Sequence, residues 1–403
     1  MESVASSAAS AAWPGVRFES YAWDDDEHAP ASRRARLRAR GPYLAAVTPE
    51  IAATAPPGLS ADLVVDAEDA VAELSRFDTE VGAFTAPFAA ILLRSESASS
   101  SEIENLTALP RGIALAALGK KAGPNARLVV ANVHAMEAAL TLADDLDEAA
   151  VIGMHAALLA DDQPHLTGSW RDQQVWIGGS GRSPHTADFV PPHADRVPAA
   201  MDDLIRFARR VDIPALAHVA LTHAQFETIH PFPDGNGRTG RAIVHSMLRR
   251  LRITRQVTVP VSAGLLSDTS GYFAALGAYR EGEVEPVVRA FVDATLAAVV
   301  NGRALVTDLT ELRLEWGDLT SARQGSAGHR MLDLLQRQPV VDVSLVAREL
   351  GVATNNARAG IDRLAADGII RPIGEARRDR VFEAPDVLVA LDAFAQRAKR
   401  RHP

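Results

Sequence analysis

Apolar residues recur at three- and four-residue intervals over residues 63–77, and the same rhythm predicts helices over 99–106, 127–142, 201–210, 215–229, 239–251, 272–279 and 286–306. The rhythm breaks between Trp170 and Val197. There a short strand candidate, residues 174–177, runs into Gly178, Gly179, Gly181, Pro184, Pro191 and Pro192, which predicts a hairpin or flap followed by a long loop. The expected fold is mainly α: a helical bundle with one extended excursion.

The two ends of the chain read differently from the bundle. Residues 1–41 carry an acidic run, Asp24 to Glu27, then Arg33, Arg34, Arg36, Arg38 and Arg40, without sustained apolar periodicity, and are expected to form a loosely held arm. Residues 326–403 are expected to form a separate unit. They offer three short amphipathic helices (331–337, 343–350 and 355–366), Gly351 at a turn, Thr354 as N-cap of the third helix, and two strand candidates (369–373 and 380–383) around GEARR. That is the order of a winged helix.

Composition narrows the chemistry. The 403 residues are 47% apolar and 23% charged, as in a folded globular chain of several units. The absence of cysteine removes disulfides, thiolate metal sites and cysteine nucleophiles. A net charge of −9 excludes the whole chain as an electrostatic nucleic-acid binder, although residues 326–403 alone carry a small positive excess. Only Lys120, Lys121 and Lys399 are lysines, so nearly all cationic groups are guanidiniums, suited to bidentate oxyanion binding. No run approaches 18 uninterrupted apolar residues, and the N-terminus lacks a basic segment before an apolar one. No membrane span is therefore expected, and the cytoplasm is the expected location.

The chemistry concentrates in His230-Pro-Phe-Pro-Asp-Gly-Asn-Gly-Arg-Thr-Gly-Arg241, between two helical patterns. Gly235, Asn236 and Gly237 can bend the backbone so that several amides face one anion at the start of a helix. Arg238 and Arg241, three apart, lie on one helix face and extend that anion site. Asp234 suits a magnesium ion bridging phosphate oxygens, and His230 is the group here able to take a proton near neutral pH. The embedded G-x-G-x-x-G is not a dinucleotide fingerprint, since no strand precedes it and residues 252–262 lack the expected acid. Walker and kinase elements are missing too.

HPFPDGNGRTGR resembles the Fic family signature HPFx(D/E)GNGRxxR at every fixed position. The resemblance implies a Fic-type helical bundle with a β-hairpin flap, transferring AMP from magnesium ATP to a Ser, Thr or Tyr hydroxyl of a target protein. It implies His230 as general base, Asp234 as magnesium ligand, and Gly235, Asn236, Gly237, Arg238 and Arg241 as nucleotide-binding residues. Val175, Trp176, Ile177 and Gly178 are similar to the target-docking flap, which aligns the target by strand addition. Residues 42–125 resemble the Fic N-terminal region, 126–310 the core, and 326–403 the C-terminal winged helix of many members.

Ser100-Ser-Glu-Ile-Glu104-Asn105 is similar to the family's inhibitory pattern, (S/T)xxxE(G/N), which implies that Glu104 pairs with Arg241 and blocks productive ATP binding. On local grounds Ser101-Glu-Ile-Glu104 also reads as a capping box, in which Glu104 would bond the Ser101 amide. His218, His223 and His230 have spacings that match no usual zinc site, and no zinc is assigned. Asn355, Asn356, Arg358 and Arg363 can face a DNA groove with Arg377, Arg378 and Arg380 on the wing, or the unit can bind protein instead. Three functions follow: a self-inhibited adenylyltransferase, a hydrolase that removes AMP with Glu104 orienting water, and a nucleotide-sensing DNA-binding regulator. A homodimer stays open.

Overall fold

The computed structural model of the chain describes residues 12–23, 40–83, 87–179, 183–374 and 379–400. The fold is mainly α. A two-stranded antiparallel ribbon, β1 (Arg17–Tyr21) and β2 (Tyr43–Val47), precedes helices α1 (Ala61–Gly82), α2 (Pro87–Ile103), α3 (Pro110–Ala117), α4 (Pro124–Thr141) and α5 (Glu148–Leu159). After a long loop come α6 (Val197–Ala208), α7 (Ala215–Ile229), α8 (Asn236–Arg250), α9 (Val261–Leu266), α10 (Thr269–Arg280) and α11 (Glu285–Leu319). Residues Leu63, Ala67, Ala70, Leu74, Phe77 and Val81 form the buried stripe of α1, the 3.6-residue period that makes this segment a helix against the core. Helix α7 is buried at every position from Leu216 to Ile229, which makes it the central post of the bundle, and α8 packs beside it.

Several expectations are corrected. The arm is not wholly loose: Trp13 is buried against Phe207 and Tyr279, with ring centroids 6.0 and 6.4 Å apart, and β1 pairs with β2. The acidic run and Arg33, Arg34, Arg36 and Arg38 lie outside the described residues. Residues 174–177 form no strand; Ile177 makes a single bridge to Phe189, because Gly178 and Gly179 turn the chain with φ of 75° and 71°. Helix α2 starts 12 residues before the periodicity suggests and ends at Ile103. Its serines hide this by turning inward: Ser97 Oγ donates to the Leu93 carbonyl at 3.0 Å and Ser101 Oγ to that of Ser97 at 2.8 Å. Helix α11 runs beyond residue 306 because its apolar face continues through Leu309 and Trp316. By length and composition alone α11 is apolar enough to cross a membrane, and 56% of its most apolar window is buried inside the protein.

Residues 326–400 contribute α12 (Ala327–Arg337), β3 (Val340–Asp342), α13 (Val343–Leu350), α14 (Thr354–Ala366), β4 (Arg371–Ile373), β5 (Val381–Glu383) and α15 (Pro385–Ala398). The strands form one antiparallel sheet in the order β3-β5-β4, with Phe382 opposite Val341 on one side and Pro372 on the other. Thr354 is the first residue of α14 rather than its cap; Ala353 holds that place. Nor is the unit separate, since its core is continuous with that of the bundle through Met331, Leu335 and Phe394. Arg94 of α2 donates to the Arg337 carbonyl at 2.9 Å, and Asn301 of α11 to that of Phe394 at 3.1 Å.

Candidate active site

Helix α7 ends at Ile229, and His230 follows in the left-handed region with φ of 51°, its amide still bonded to the Phe226 carbonyl at 2.8 Å. This turn lifts the imidazole off the helix and starts the loop 231–235, which is held from both sides. Phe232 is fully buried, its ring stacked on His155 of α5 with centroids 3.7 Å apart. The Asn236 side chain closes the loop on itself, accepting from the Phe232 amide and donating to the Phe232 carbonyl, both at 2.8 Å. Gly235, with φ of 76°, opens α8 in a conformation that glycine adopts at least cost.

Asp234 Oδ1 accepts from the Gly235 amide at 2.7 Å, and Oδ2 from Gln163 Nε2 at 3.1 Å, while its carbonyl lies 3.0 Å from His155 Nε2. The carboxylate stays half-exposed beside a cavity of about 550 Å³ that His230, Gly237, Arg241, Glu104 and Tyr272 also line. One carboxylate facing room for a phosphate chain suits magnesium, which takes one or two protein carboxylates and the substrate's oxygens. No cluster of three metal-ligating side chains occurs among the described residues.

The sequence places Glu104 and the two arginines 134 and 137 residues apart; the fold joins them. Glu104 Oε1 accepts from Arg241 Nη2 at 2.7 Å and Oε2 from Arg238 Nε at 2.9 Å. Arg241 is further held by Ser100, through Nε to Oγ at 2.8 Å and Nη2 to the carbonyl at 2.7 Å. The capping-box alternative is thereby overturned: Glu104 stands past the C-terminal end of α2, and its carboxylate bonds guanidiniums. A Cβ on Gly237 would lie 2.4 Å from Glu104 Oε1, so the glycine is what lets the carboxylate reach the start of α8.

The matches with known proteins fall on this arrangement. The model of the Fic/DOC family matches residues 145–248, which hold the His230 loop and both arginines. Those residues are a Fic domain. Proteins named Protein adenylyltransferase Fic from Drosophila willistoni and Drosophila ananassae are 28% and 30% identical over 148 and 153 residues. Each match covers 36% of this chain and 27% of the relative, so the chain spans about a quarter of the length of the curated relatives it matches. A Fic family protein from Desulfovibrio desulfuricans G20 shares the fold, with a TM-score of 0.51 at 21% identity over 82% of this chain and 98% of that one.

Around the Fic motif stand residues that the motif does not reveal. Arg171 ties the segment after it to the loop, donating from Nε to the His230 carbonyl at 2.9 Å and from Nη1 to the Gln173 carbonyl at 2.9 Å. Arg280 of α10 lies 3.8 Å above the Phe189 ring, which itself pairs with Ile177. Trp176 packs edge-on against Trp23 at 5.8 Å, while Val175 is half-buried and Gly178 exposed. Burial, with Arg171 next, pushes the His230 pKa down to about 3, so its imidazole is neutral at pH 7 and able to accept a proton. Burial likewise raises the Glu227 carboxyl to about 7. No spacing rule singles out Arg171, Arg280 or Gln163, since each reaches the site from an element remote in sequence.

His218 and His223 hold no metal-like arrangement with His230: His218 Nε2 lies 2.9 Å from the Phe207 carbonyl and His223 Nε2 2.7 Å from the Tyr272 hydroxyl. In the C-terminal unit, Asn355, Asn356, Arg358 and Arg363 are exposed on α14, and Arg363 donates to Ser321 Oγ at 3.1 Å. Arg377 and Arg378 lie outside the described residues; Arg380 stacks over Phe382 at 5.0 Å.

Proposed function

We propose that the chain is a protein adenylyltransferase, held in check by Glu104, that moves AMP from magnesium ATP to a hydroxyl of a target protein. The observation that carries this reading is the convergence of a neutral imidazole, a half-exposed carboxylate and the Arg241 guanidinium on one cavity of nucleotide size, with Arg238 in the adjoining cavity that Glu104 and Asp234 also line. His230 takes the proton of the target Ser, Thr or Tyr hydroxyl while the oxygen attacks the α phosphorus. The bond from that phosphorus to the bridging oxygen breaks, and pyrophosphate leaves. Arg238 and Arg241, once free of Glu104, hold the β and γ phosphates, and the first amides of α8 face the phosphate chain. Asp234 would hold the magnesium ion, which neutralises phosphate charge.

Glu104 occupies the guanidinium positions that phosphate oxygens need, so the resting protein binds ATP unproductively. Intact-mass analysis of the purified protein and of lysate proteins after incubation with magnesium ATP tests the reading. Added AMP is expected on the Glu104→Gly protein and little on the wild type; no added AMP on any protein with Glu104→Gly overturns it.

A second reading keeps the site and reverses the reaction. Glu104 lines the same cavity as His230, which supports a hydrolase in which Glu104 orients water toward an AMP-modified hydroxyl. Release of AMP from a modified target by the wild type, lost in Glu104→Gly, distinguishes it. For the C-terminal unit, the exposed face of α14 with Asn355, Asn356 and Arg358 supports a DNA-binding regulator, and DNA retention that falls steeply with salt tests it.

A further inference from the structure

Glu227 stands one turn before His230 on α7, with Oε2 4.0 Å from His230 Nδ1 and Oε1 3.9 Å from His223 Nε2. Its side chain is 9% exposed, and neither Glu227 Oε1 nor His230 Nδ1 has a hydrogen-bond partner. Buried polar atoms are ordinarily paired, and unpaired ones on two neighbouring groups at a cavity mark a place where bonding changes during function. The opposite helix is shaped to the carboxyl. A Cβ on Gly240 of α8 would lie 2.6 Å from Glu227 Oε1, 3.0 Å from the Phe226 ring and 3.2 Å from His223 Cε1. The small residue just before Arg241 therefore keeps open a space that the Glu227 carboxyl fills.

We propose that Glu227 is the positioning residue for His230: its carboxylate holds the imidazole with the proton on Nδ1 and turns the Nε2 lone pair to the cavity. The inference rests on the adenylyltransferase reading and deepens it. When His230 Nε2 takes the hydroxyl proton, the oxygen's electron pair forms the new O–P bond and the leaving pair departs with pyrophosphate. The imidazolium so formed lies against the Glu227 carboxylate, which gives up no atom and neutralises the charge.

The charged neighbours act on this pair in a definite direction. Arg171 and Arg280 oppose protonation of His230, while the Glu227 main-chain carbonyl, the third-ranked influence after burial and Arg171, and Asp234 favour it. Burial holds the Glu227 carboxyl protonated up to about pH 7, Glu104 adds to that, and Arg241 and Arg280 oppose it. His223 and the Tyr272 hydroxyl, bonded to each other, close the remaining side. When Glu104 leaves Arg241, and before phosphate takes its place, an anion departs from beside Glu227 while Arg241 and Arg280 can remain, so the carboxyl ionises more readily. Release of the latch and readiness of the base are thus coupled.

The test uses full-length protein in the Glu104→Gly background, with target or self-adenylylation as readout. Glu227→Gln keeps the shape and removes the charge. It should lower kcat by about tenfold or more, leave the KM for ATP within about twofold, and abolish the rise in kcat with pH that ionisation of Glu227 gives the parent. Gly240→Ala should lower kcat as well, but should cost nothing further when added to Glu227→Ala, which vacates the space. A Glu227→Gln enzyme with the parent's kcat and pH profile overturns the inference, as does full additivity of Gly240→Ala and Glu227→Ala. If Glu104→Gly transfers no AMP, the adenylyltransferase reading fails, and nitrogen-15 NMR of the His230 ring still decides the inference. The Nδ1-protonated form should dominate in the parent and lose that dominance in Glu227→Ala, and an unchanged ring overturns it.

Discussion

Glu104 Oε1 accepts from Arg241 Nη2 at 2.7 Å, and the same carboxylate takes Arg238 Nε at 2.9 Å, so one side chain occupies both cations of the motif. Arg241 is 3% exposed and Glu104 27%, which gives the pair a largely dry, charge-assisted contact that phosphate would have to displace in the proposed reaction. Charge-assisted bonds contribute about 1.5–3 kcal/mol, so removing the carboxylate should raise adenylylation on the order of tenfold or more. Intact-mass rates for Glu104→Gly against wild type measure the gain. Arg241→Ala in that background should abolish it, because the freed phosphate partner is gone; a gain that survives would mean Glu104 acts elsewhere.

Ser100 offers a graded version of the same experiment. Its Oγ accepts from Arg241 Nε at 2.8 Å, while its carbonyl accepts from Nη2 at 2.7 Å, and only the former is lost in Ser100→Ala. The latch should loosen without opening. A severalfold rise in self-adenylylation is expected, well short of that in Glu104→Gly. Equal rates for Ser100→Ala and wild type would show that the carboxylate alone sets the latch.

Asn236→Ala tests the loop that carries the chemistry. The substitution strips partners from the Phe232 amide and carbonyl, both bonded at 2.8 Å, and each unsatisfied main-chain group costs about 1–3 kcal/mol. A lower Tm is expected, with a fall in kcat larger than the stability loss accounts for, since His230 and Asp234 both hang from this loop. Calorimetry paired with single-turnover rates checks both halves.

How much of this was legible in the sequence depends on how local each signal is. The twelve residues from His230 to Arg241 were legible as a turn followed by a helix start, because the imidazole, the glycines and both guanidiniums sit within one short stretch. What Asn236 does with its side chain was not legible, since bracing Phe232 rather than facing an anion is settled by the fold of the loop. Helix α2 was half hidden because its serines turn inward and bond back to the helix, against their usual preference for ends and turns. Choosing between cap and latch for Glu104 required knowing which end of α2 it stands at. Glu227 carried no signal at all: a lone glutamate on an apolar helix gains meaning only when Gly240 and His230 are seen against it.

His223 should leave a mark on the pH dependence of stability. It is fully buried with Nε2 2.7 Å from the Tyr272 hydroxyl, and burial, with Arg241 next, pushes its pKa down to about 3. The unfolded chain, with an ordinary histidine pKa near 6.5, therefore binds a proton that the folded state refuses between about pH 6.5 and 3. Folding stability falls as pH falls through that window, by up to about 1.4 kcal/mol per pH unit from this one group. Urea unfolding of His223→Gln at pH 7 and pH 5 should show a smaller drop than wild type. An equal drop would place the lost proton elsewhere.

The last prediction concerns residues 326–403, which the sequence presents as a removable unit. The core says otherwise, because Met331, Leu335 and Phe394 belong to the same buried cluster as Leu305, Leu309 and Trp316 of α11. Trp316 Nε1 donates to Asp386 at 3.3 Å, and Arg94 of the latch helix α2 to the Arg337 carbonyl at 2.9 Å. Ending the chain at residue 325 uncovers those apolar faces, and burial at about 25 cal/mol per Å² makes each large side chain worth about 1.5–3 kcal/mol. Loss of only a few exceeds what a marginally stable fold can spare. The truncated Glu104→Gly protein should therefore show a much lower Tm, and adenylylation should survive only at temperatures below its melting, since His230, Asp234, Arg238 and Arg241 all precede the cut. Lys399→Ala is the matched control. Its contact with Glu102 at 2.7 Å is half-exposed, and such pairs contribute about 0–1 kcal/mol. A Tm nearly unchanged on truncation, or one lowered as far by Lys399→Ala, would show that the shared core does not hold the two parts together.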